Sequence, residues 1–228
     1  MTPVPTTALA SCGFHDAECA SYDADLSLWL AIADTVGGPI LDLGAGTGRV
    51  SVPLALAGHD VRAVDLDGDL LDEAARRAEE AGATISTSVA DLRTLDADLG
   101  PLDPAPSLLL IPMQTIQLLG GSDARRAMFA AAARVAAPVA ELVISVVLEV
   151  ESFDGRETFP PLLPPDLAFL GGFRFESMPR AVLQDTRTSP IDMHRRRIVR
   201  DGLEGAIVSM PEDVVITLDP VDVAGVQA

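Results

Sequence analysis

The stretch Leu41-Asp42-Leu43-Gly44-Ala45-Gly46-Thr47-Gly48-Arg49-Val50 decides the fold of this chain. A short apolar run from Ile40 ends in three alternating glycines and is followed by residues that can cover one face of a helix. The pattern predicts a strand, a tight turn and a helix. Glycine permits positive φ and has no Cβ to separate the main chain from a bound molecule, and a helix start offers free N–H groups. We therefore expect this turn to hold a ligand through its backbone.

Two classes of ligand use such a turn, and the glycine spacing separates them. The dinucleotide fingerprint G-x-G-x-x-G requires a glycine three positions after its second glycine, and Arg49 occupies that position here. The pattern Asp-x-Gly-x-Gly-x-Gly instead resembles motif I of the class I S-adenosylmethionine-dependent methyltransferases. A generic glycine-rich turn is the alternative. The resemblance implies S-adenosyl-L-methionine as cofactor, with its methionine portion held by the residues of the motif, which are Asp42, Gly44, Ala45, Gly46 and Gly48.

An acidic residue ends the second predicted strand, residues 61–65. Asp65 follows Gly48 at close to the spacing at which a second-strand carboxylate meets a ribose diol. A carboxylate at this point can accept hydrogen bonds from both vicinal hydroxyls. We therefore predict that Asp65 and the adjoining Leu66 bind the adenosine part of the cofactor. A helix N-cap is the alternative role for an aspartate here, and it fits Asp67 better than Asp65.

Two later strand ends supply the other predicted cofactor contacts. The resemblance implies that an acidic residue after the third strand receives the adenine amino group, and Asp91-Leu92 matches that position; an aspartate in a surface loop is the alternative. The apolar run 107–111 predicts a central parallel strand, and open α/β sheets bind ligands at the carboxyl ends of such strands. We predict that Gln114, just after this run, faces the cofactor or the acceptor.

The order of elements predicts an α/β fold. Five strand–helix repeats over residues 23 to about 150 indicate a doubly wound, Rossmann-like, mostly parallel sheet. After residue 151 prolines interrupt any helix, and three β-like stretches predict a small antiparallel flap. We therefore expect an N-terminal arm (1–22), a cofactor-binding core (23–150), a flap that serves as acceptor lid (151–218) and the start of a C-terminal helix (219–228). Residues 1–11 are expected to be frayed.

The resemblance also concerns the end of the sheet. Small-molecule methyltransferases, including nucleotide-sugar N,N-dimethyltransferases and glycine N-methyltransferase, carry a comparable insertion after the fifth strand. Their sheet ordinarily closes with a further helix and an antiparallel pair of strands, so either the chain is truncated or its late strands include that pair. Truncation is the favoured interpretation. It would leave a sheet edge or an apolar helix face uncovered, so either low solubility or a homodimer is expected.

Composition and charge limit the partners. Acidic residues outnumber basic ones 34 to 16, which gives a formal charge of −18. A field of that sign repels polyphosphate, so small molecules are better candidate substrates than nucleic acids. No segment is long and apolar enough for a membrane span, and no signal sequence is evident, so a cytoplasmic protein is predicted. Cys12, His15 and Cys19 lack a fourth ligand at a suitable spacing, so no metal is expected.

Three residues are candidates for the acceptor side, although none is assigned as a base. Tyr22 lies in the segment that covers the pocket in many methyltransferases of this kind; core packing is the alternative, and it fits Trp29 better. Glu149 is expected to leave the fifth strand, residues 140–148, on the pocket side. His194 belongs to a basic cluster, residues 194–200, that would either attract an anionic acceptor or consist of solvated edge charges.

The predicted function is methyl transfer from S-adenosylmethionine to a small-molecule acceptor by in-line displacement, an activity of the EC 2.1.1 type. The cofactor carries the activation, so the protein mainly aligns the reactants, excludes water and removes a proton if the nucleophile is a hydroxyl. One alternative is a non-catalytic cofactor-binding or regulatory protein with the same fold. A nicotinamide-dependent oxidoreductase is less favoured because of Arg49. The acceptor, and whether N, O or C is methylated, stay open.

Overall fold

The computed structural model describes residues 4–153 and 164–222. They form two compact units, of which the first is Tyr22–Ser145 and the second combines the described residues up to Ser21 with those from Val146 onward. The helices are α1 (Thr7–His15), α2 (Leu26–Val36), α3 (Ser51–Leu56), α4 (Gly68–Glu80), α5 (Leu95–Leu99) and α6 (Ser122–Val135). The strands are β1 (Ile40–Leu43), β2 (Val61–Asp65), β3 (Ser86–Val89), β4 (Leu108–Ile111), β5 (Glu141–Ile144), β6 (Asp166–Leu170), β7 (Phe173–Leu183), β8 (Ile191–Asp201) and β9 (Glu212–Leu218).

The first unit is built on a parallel sheet with strand order β3-β2-β1-β4-β5. Every residue of β1 and β4 is buried, as expected for central parallel strands. The strand order reverses between these two strands, and the crevice outside their carboxyl ends is where open α/β sheets bind ligands. The predicted Rossmann-like fold is confirmed. Strand β5 ends at Ile144, four residues earlier than predicted.

The core of the first unit includes Trp29, which is 2% exposed on α2 and lies in one cluster with residues of β1, β2, α3 and α4. Among the buried members of this cluster are Leu54, Leu71 and Leu110. A tryptophan buries more apolar area than most side chains, so it contributes strongly to such a core. The core-packing alternative is therefore right for Trp29.

The second unit contains an antiparallel sheet with strand order β6-β7-β8-β9. The predicted antiparallel flap is confirmed, but it has one strand more than the three predicted. The missed strand is β6, in which Leu167 and Phe169 are exposed and the other three residues are partly buried. A five-residue strand next to a proline pair gives a weak local signal, so its pairing with β7 could not be read from the sequence.

The prediction that residues 1–11 are frayed is wrong from Thr7 onward. Thr6 caps α1, because its side-chain oxygen accepts a hydrogen bond from the Leu9 N–H at 3.2 Å. The Phe14 ring meets the Phe175 ring of β7 edge-on, with 5.3 Å between centroids. The helix is thus stabilised by a strand far away in sequence, which local composition cannot reveal. The described residues of the predicted arm up to Ser21 belong to the same unit as the antiparallel sheet. The other predicted domain limits stay predictions.

Gly13→Ala is expected to destabilise the protein although alanine is the better helix former. A Cβ at this position would lie 2.3 Å from Phe175 Cδ2, and that ring is fully buried. Overpacking of this kind costs about 1–3 kcal/mol, whereas the gain in helix propensity is at most about 1 kcal/mol. Urea unfolding of the two proteins should show a net loss of stability. An unchanged or higher free energy of unfolding would contradict the contact.

The predicted C-terminal helix is not seen in residues 219–222, and the rest of it lies outside the described residues. None of the described helices has the length and apolar character that crossing a membrane requires. Within residues 4–153 and 164–222, no three His, Cys, Asp or Glu side chains are grouped as a metal site would need.

Candidate functional site

The turn after β1 has the backbone conformation that its glycines predict. Gly44, Gly46 and Gly48 have φ values of 78°, 56° and 86°, a region that other residues rarely adopt. A Cβ at Gly44 would lie 2.3 Å from Thr115 Cγ2, and one at Gly48 would lie 2.9 Å from Val52 Cγ2. The predicted positive φ is confirmed, and at these two positions glycine is also required by side chains of the protein itself, which the sequence did not predict.

Several N–H groups of this loop are used inside the protein. Those of Gly44 and Ala45 donate to the Val64 carbonyl oxygen at 2.8 and 3.0 Å, and that of Gly46 donates to Asp65 Oδ2 at 2.8 Å. These three N–H groups are therefore not free to bind a ligand, whereas the sequence predicted free N–H groups only at the start of the helix. The loop presents bare main chain, held in one conformation, at the end of the central strand.

Asp65 ties the end of β2 to this loop. Its Oδ2 accepts from Gly46, and its Oδ1 accepts from the Asp67 N–H at 3.0 Å. Each carboxylate oxygen has a second lone pair, so these bonds leave acceptor capacity for two hydroxyls. Asp67 instead caps α4 by accepting from the Asp69 N–H at 2.9 Å. The predicted ribose residue and the predicted loop are therefore in direct contact, and the N-cap role falls to Asp67.

Two exposed apolar side chains lie beside Asp65. Leu66 is 68% exposed and lines an open groove together with Asp65 and the first turn of α4. Val89 ends β3 directly opposite Asp65 in the strand register and is 59% exposed. Apolar side chains at the carboxyl ends of neighbouring strands suit the flat face of a base. The sequence argument did not name Val89, although its place as the last residue of a predicted strand was a usable signal.

The segment after β3 differs in part from the prediction. The Asp91 carboxylate caps a 3₁₀ turn and pairs with the Arg93 guanidinium, with 2.5 Å between Asp91 Oδ2 and Arg93 Nη2. The side-chain hydrogen bond from Arg93 lowers the pKa of Asp91. The side chain of Leu92 is buried. An adenine amino group at this point would have to share Asp91 with Arg93, and Leu92 would be available only through its backbone.

Asp42 is a fully buried acid beneath the glycine loop. Its Oδ2 accepts from the Ser51 hydroxyl at 2.6 Å, while its Oδ1 has no hydrogen-bond partner among the described residues. Burial raises the pKa of Asp42 to about 6, and the nearby charge of Asp65 also raises it, against the lowering effects of Ser51 and Arg49. An unpartnered buried oxygen at this point suits a loop that receives a cationic group nearby.

Asp42→Asn is expected to flatten the dependence of stability on pH. An acid with a raised folded-state pKa stabilises the fold at low pH and loses that contribution as pH rises to the folded value, here about 6. Between pH 5 and pH 7.5 the wild type should lose roughly 1.4 kcal/mol relative to the variant, since one pKa unit is worth about that much. Urea unfolding of both proteins at pH 5 and at pH 7.5 measures the difference. Both pH values lie above the sequence pI of about 4.3. Parallel changes in the two proteins would contradict the raised pKa.

The loop after β4 is held tightly next to the glycine loop. Met113 has a positive φ of 55°, its carbonyl oxygen accepts from the Ser145 hydroxyl at 2.5 Å, and the Thr115 hydroxyl donates to the Pro112 carbonyl oxygen at 3.1 Å. Such conformations cost energy in residues other than glycine and are frequent at functional sites. Gln114 therefore lies in a constrained loop at the end of β4.

Tyr22 lies close to the glycine loop. The Arg49 guanidinium is 5.5 Å from the centre of its ring, and Arg49 Nη1 donates to the Tyr22 carbonyl oxygen at 2.9 Å. The Tyr22 side chain is far from fully buried, because the residue is 49% exposed. Core packing is therefore the wrong account of Tyr22, and its ring is available to a ligand.

The other two acceptor-side candidates belong to the second unit. Glu149 follows the short β5 without regular structure and pairs with Arg187. His194 lies on β8, opposite Ala181 of β7 and Val215 of β9. The prediction that Glu149 leaves the fifth strand directly is wrong, because β5 ends at Ile144. Their roles toward an acceptor stay predictions.

The basic cluster on β8 is occupied by acidic partners. Arg197 makes a bidentate pair with Glu18, with distances of 2.8 and 2.7 Å. The other pairs are Arg195 with Asp166, Arg196 with Asp213 and Arg200 with Glu176. Only the Arg196 pair resembles solvated edge charges, because the other three arginines keep at most 27% of their side-chain surface exposed. These ion pairs stabilise the second unit and argue against attraction of an anionic acceptor by the cluster.

Comparisons with known proteins agree with this geometry. Residues 40–139 match a family described as a methyltransferase domain. Uncharacterised proteins of Mycobacterium tuberculosis and Mycobacterium bovis are 38% identical over 73 residues, which are 32% of this chain and 27% of theirs. The chain thus spans about a quarter of the length of the curated relatives it matches.

Solved structures share the fold. An S-adenosylmethionine-dependent methyltransferase from Clostridium acetobutylicum has a TM-score of 0.64 at 16% identity, over 94% of this chain and 82% of that one. CalS10 is an amino pentose methyltransferase from Micromonospora echinaspora, solved with bound S-adenosylmethionine. It has a TM-score of 0.62 at 19% identity, over 100% of this chain and 88% of that one. The sugar N-methyltransferase KedS8 from a Streptoalloteichus species has a TM-score of 0.64 at 17% identity, over 98% of this chain and 84% of that one. These structures show that the fold is shared, and together with the match of residues 40–139 to a methyltransferase domain they bear out the predicted resemblance.

Proposed function

We propose that this chain, whose residues 40–139 match a methyltransferase domain, transfers a methyl group from S-adenosylmethionine to a small-molecule acceptor. The observation that carries the proposal is the contact between Asp65 Oδ2 and the Gly46 N–H at 2.8 Å. It brings a carboxylate suited to a ribose diol against a glycine turn at the point where the strand order reverses.

The described side chains fit the cofactor part by part. Asp65 would bind the ribose hydroxyls, and Leu66 and Val89 would contact the faces of the adenine. Asp91 would receive the adenine amino group while it keeps its pair with Arg93. The remaining contacts, to the methionine portion, would come from the loop and its neighbours, which are Asp42, Gly44, Ala45, Gly46, Gly48 and Gln114.

When bound, the sulfonium supplies an activated methyl group that an aligned nucleophile can displace in line. The protein then has to orient the acceptor and exclude water, which is worth more here than acid–base chemistry. Tyr22 is a candidate to border the acceptor because Arg49 holds it beside the glycine loop. Glu149 and His194 remain candidates for contact with the acceptor, and an amine acceptor would need no dedicated base.

Charge supports a neutral or cationic acceptor. The chain has a formal charge of −18. Such a field disfavours nucleic acids and anionic molecules and favours amines. CalS10 and KedS8, which share the fold, act on an amino pentose and on a sugar nitrogen according to their descriptions. Amino sugars are therefore the first acceptors to test.

A non-catalytic cofactor-binding protein is the second candidate, because no described side chain is tied to the acceptor by a direct observation. A nicotinamide-dependent oxidoreductase is disfavoured. The position that needs a third glycine is Arg49, whose guanidinium is engaged by Asp25. We also expect a cytoplasmic homodimer, which light scattering of the purified chain would check.

Turnover of methyl-labelled S-adenosylmethionine against a panel of amino sugars, simple amines and hydroxyl acceptors tests the proposal. We expect label in at least one acceptor and stoichiometric release of S-adenosylhomocysteine. Cofactor binding without transfer to any member of the panel would favour the non-catalytic candidate. Absence of both binding and transfer would reject both.

A further inference from the structure

A partly buried polar cluster lies against the glycine loop in the first unit. Asp25 Oδ1 is 2.5 Å from Arg49 Nη1, and its Oδ2 accepts from Arg49 Nη2 at 3.0 Å and from Trp29 Nε1 at 2.8 Å. Arg49 also donates to the Tyr22 carbonyl oxygen. Two charged and two aromatic residues thus form one connected unit, which we call the Arg49 clamp: Tyr22, Asp25, Trp29 and Arg49.

The ion pair at the centre of the clamp is largely shielded from solvent and has a defined geometry. The side chains of Arg49 and Asp25 are only 6% and 15% exposed. Burial would raise the pKa of Asp25, but the hydrogen bonds from Arg49 and Trp29 outweigh burial and lower it, so Asp25 stays ionised at neutral pH. A bidentate arginine–carboxylate pair fixes orientation as well as distance. The exposed pair of Arg134 with Asp96 on the same unit is less constrained, because solvent competes for its charges.

The position of the clamp links it to the loop rather than to the core alone. Arg49 directly follows Gly48, whose φ of 86° closes the turn. On the opposite side, Asp65 holds Gly46 through its N–H. The loop is thus held at two points, by β2 through Asp65 and by the start of α2 through Arg49. A binding loop that is fixed before the ligand arrives spends less free energy on ordering.

We propose that Arg49 and Asp25 are positioning residues that hold the glycine loop in its cofactor-binding conformation, and that Trp29 reports their state. This inference rests on the proposed function, since it assumes that the loop binds S-adenosylmethionine. Neither residue needs to touch the cofactor. Their effect passes through the backbone of Gly48 and through Tyr22.

Trp29 makes the clamp observable. It is the only tryptophan of the chain, and its indole N–H donates to the same Asp25 oxygen that receives Arg49 Nη2. A change in the Arg49–Asp25 pair therefore changes the surroundings of the indole. Its fluorescence should shift when S-adenosylhomocysteine binds to the loop, and also when Arg49 is replaced in the protein without ligand.

The experiment compares the wild type with Arg49→Met and Arg49→Lys. Arg134→Met is the matched control, because Arg134 also pairs with an aspartate, Asp96, through two nitrogens but lies on α6 away from the loop. Calorimetry with S-adenosylhomocysteine gives the dissociation constant, and tryptophan emission is recorded with and without this ligand. Thermal unfolding of each protein verifies that the fraction folded is the same at the temperature of the titration.

Arg49→Met should raise the dissociation constant about tenfold or more, within the usual range for coupling between sites. It should also alter the emission without ligand and abolish the ligand-induced change at saturation. Arg49→Lys should restore part of the affinity and part of the change in emission. If Arg49→Met does not fold, the same two measurements on Arg49→Lys test the inference. Affinity within about twofold of Arg134→Met, or an unchanged Trp29 response, would overturn the inference while leaving the proposed function intact. Absence of binding by the wild type would instead reject the proposed function.

Discussion

Asp65→Ala is expected to weaken binding of S-adenosylhomocysteine by about a hundredfold or more. Hydrogen bonds to a charged group are worth about 1.5–3 kcal/mol each, and the side chain would lose two to the ribose. It would also release the Gly46 N–H, to which Oδ2 is bonded, so the loop itself would loosen. The loss therefore combines a missing contact with a less ordered site. Calorimetric titration of the wild type and the variant measures it.

The control for this prediction is Asp60→Ala. Asp60 is exposed and comes just before β2, at the end of the strand opposite to Asp65. The change in net charge is the same, so any effect of overall charge on binding of the ligand is matched. We expect Asp60→Ala to bind nearly as the wild type does. If the two variants bind equally well, Asp65 does not hold the ribose.

Glu18→Ala is expected to lower the free energy of unfolding by about 3–5 kcal/mol, the usual cost of removing one partner of a buried pair. Glu18 is 10% exposed at its side chain, pairs with Arg197 through both oxygens and accepts from the Ser177 hydroxyl at 2.7 Å. Its loss would leave the partly buried Arg197 without its hydrogen-bonded carboxylate partner. It would also detach the π-helical turn after α1 from the antiparallel sheet. Urea unfolding measures the change.

Glu151→Ala is the control, because Glu151 is exposed in the same unit, and it should change stability by less than about 0.5 kcal/mol. The pH dependence gives a second check. Burial tends to raise the pKa of Glu18, but the hydrogen bonds from Arg197 and Ser177 outweigh it and lower the pKa below 4.5. The contribution of Glu18 is therefore complete above pH 4.5 and is lost as pH falls through the lowered value. A Glu18→Ala protein as stable as the wild type at pH 7 would contradict the role of the pair.

The elements that the sequence predicted correctly are those with a local signal. The glycine turn, the apolar run of β4 and the acid at the end of β2 each depend on residues within one strand–turn–helix repeat. Repeats of this kind are typical of a doubly wound sheet, in which the first two strands lie side by side. The contact between Asp65 and Gly46 follows from that order, since both lie at the carboxyl ends of adjacent strands.

The features that the sequence did not reveal depend on partners far away in the chain. Residues 7–15 form a helix because Phe175 lies beneath them, and the arginines of β8 are not free because Glu18, Asp166, Glu176 and Asp213 reach them. No spacing rule connects these positions. Strand β6 was missed for the same reason, since its pairing with β7 defines it better than its composition does.

Within the site, the sequence argument named the correct glycines for an incomplete reason. Gly44 and Gly48 make room for Thr115 and Val52, so they are needed by the fold before any ligand arrives. Arg49 was used only to exclude a dinucleotide, yet it forms a buried pair with Asp25. An arginine in a ligand loop has too many potential partners for its actual one to be deduced from sequence.

The central claim is that the turn from Gly44 to Gly48, joined to Asp65, binds an adenosylated amino acid. Parallel calorimetric titrations of the wild-type chain with S-adenosylhomocysteine and with NAD⁺ test it most directly. We predict saturable one-to-one binding of S-adenosylhomocysteine and no measurable heat of binding with NAD⁺. Binding of NAD⁺ in preference, or of neither compound, would contradict it.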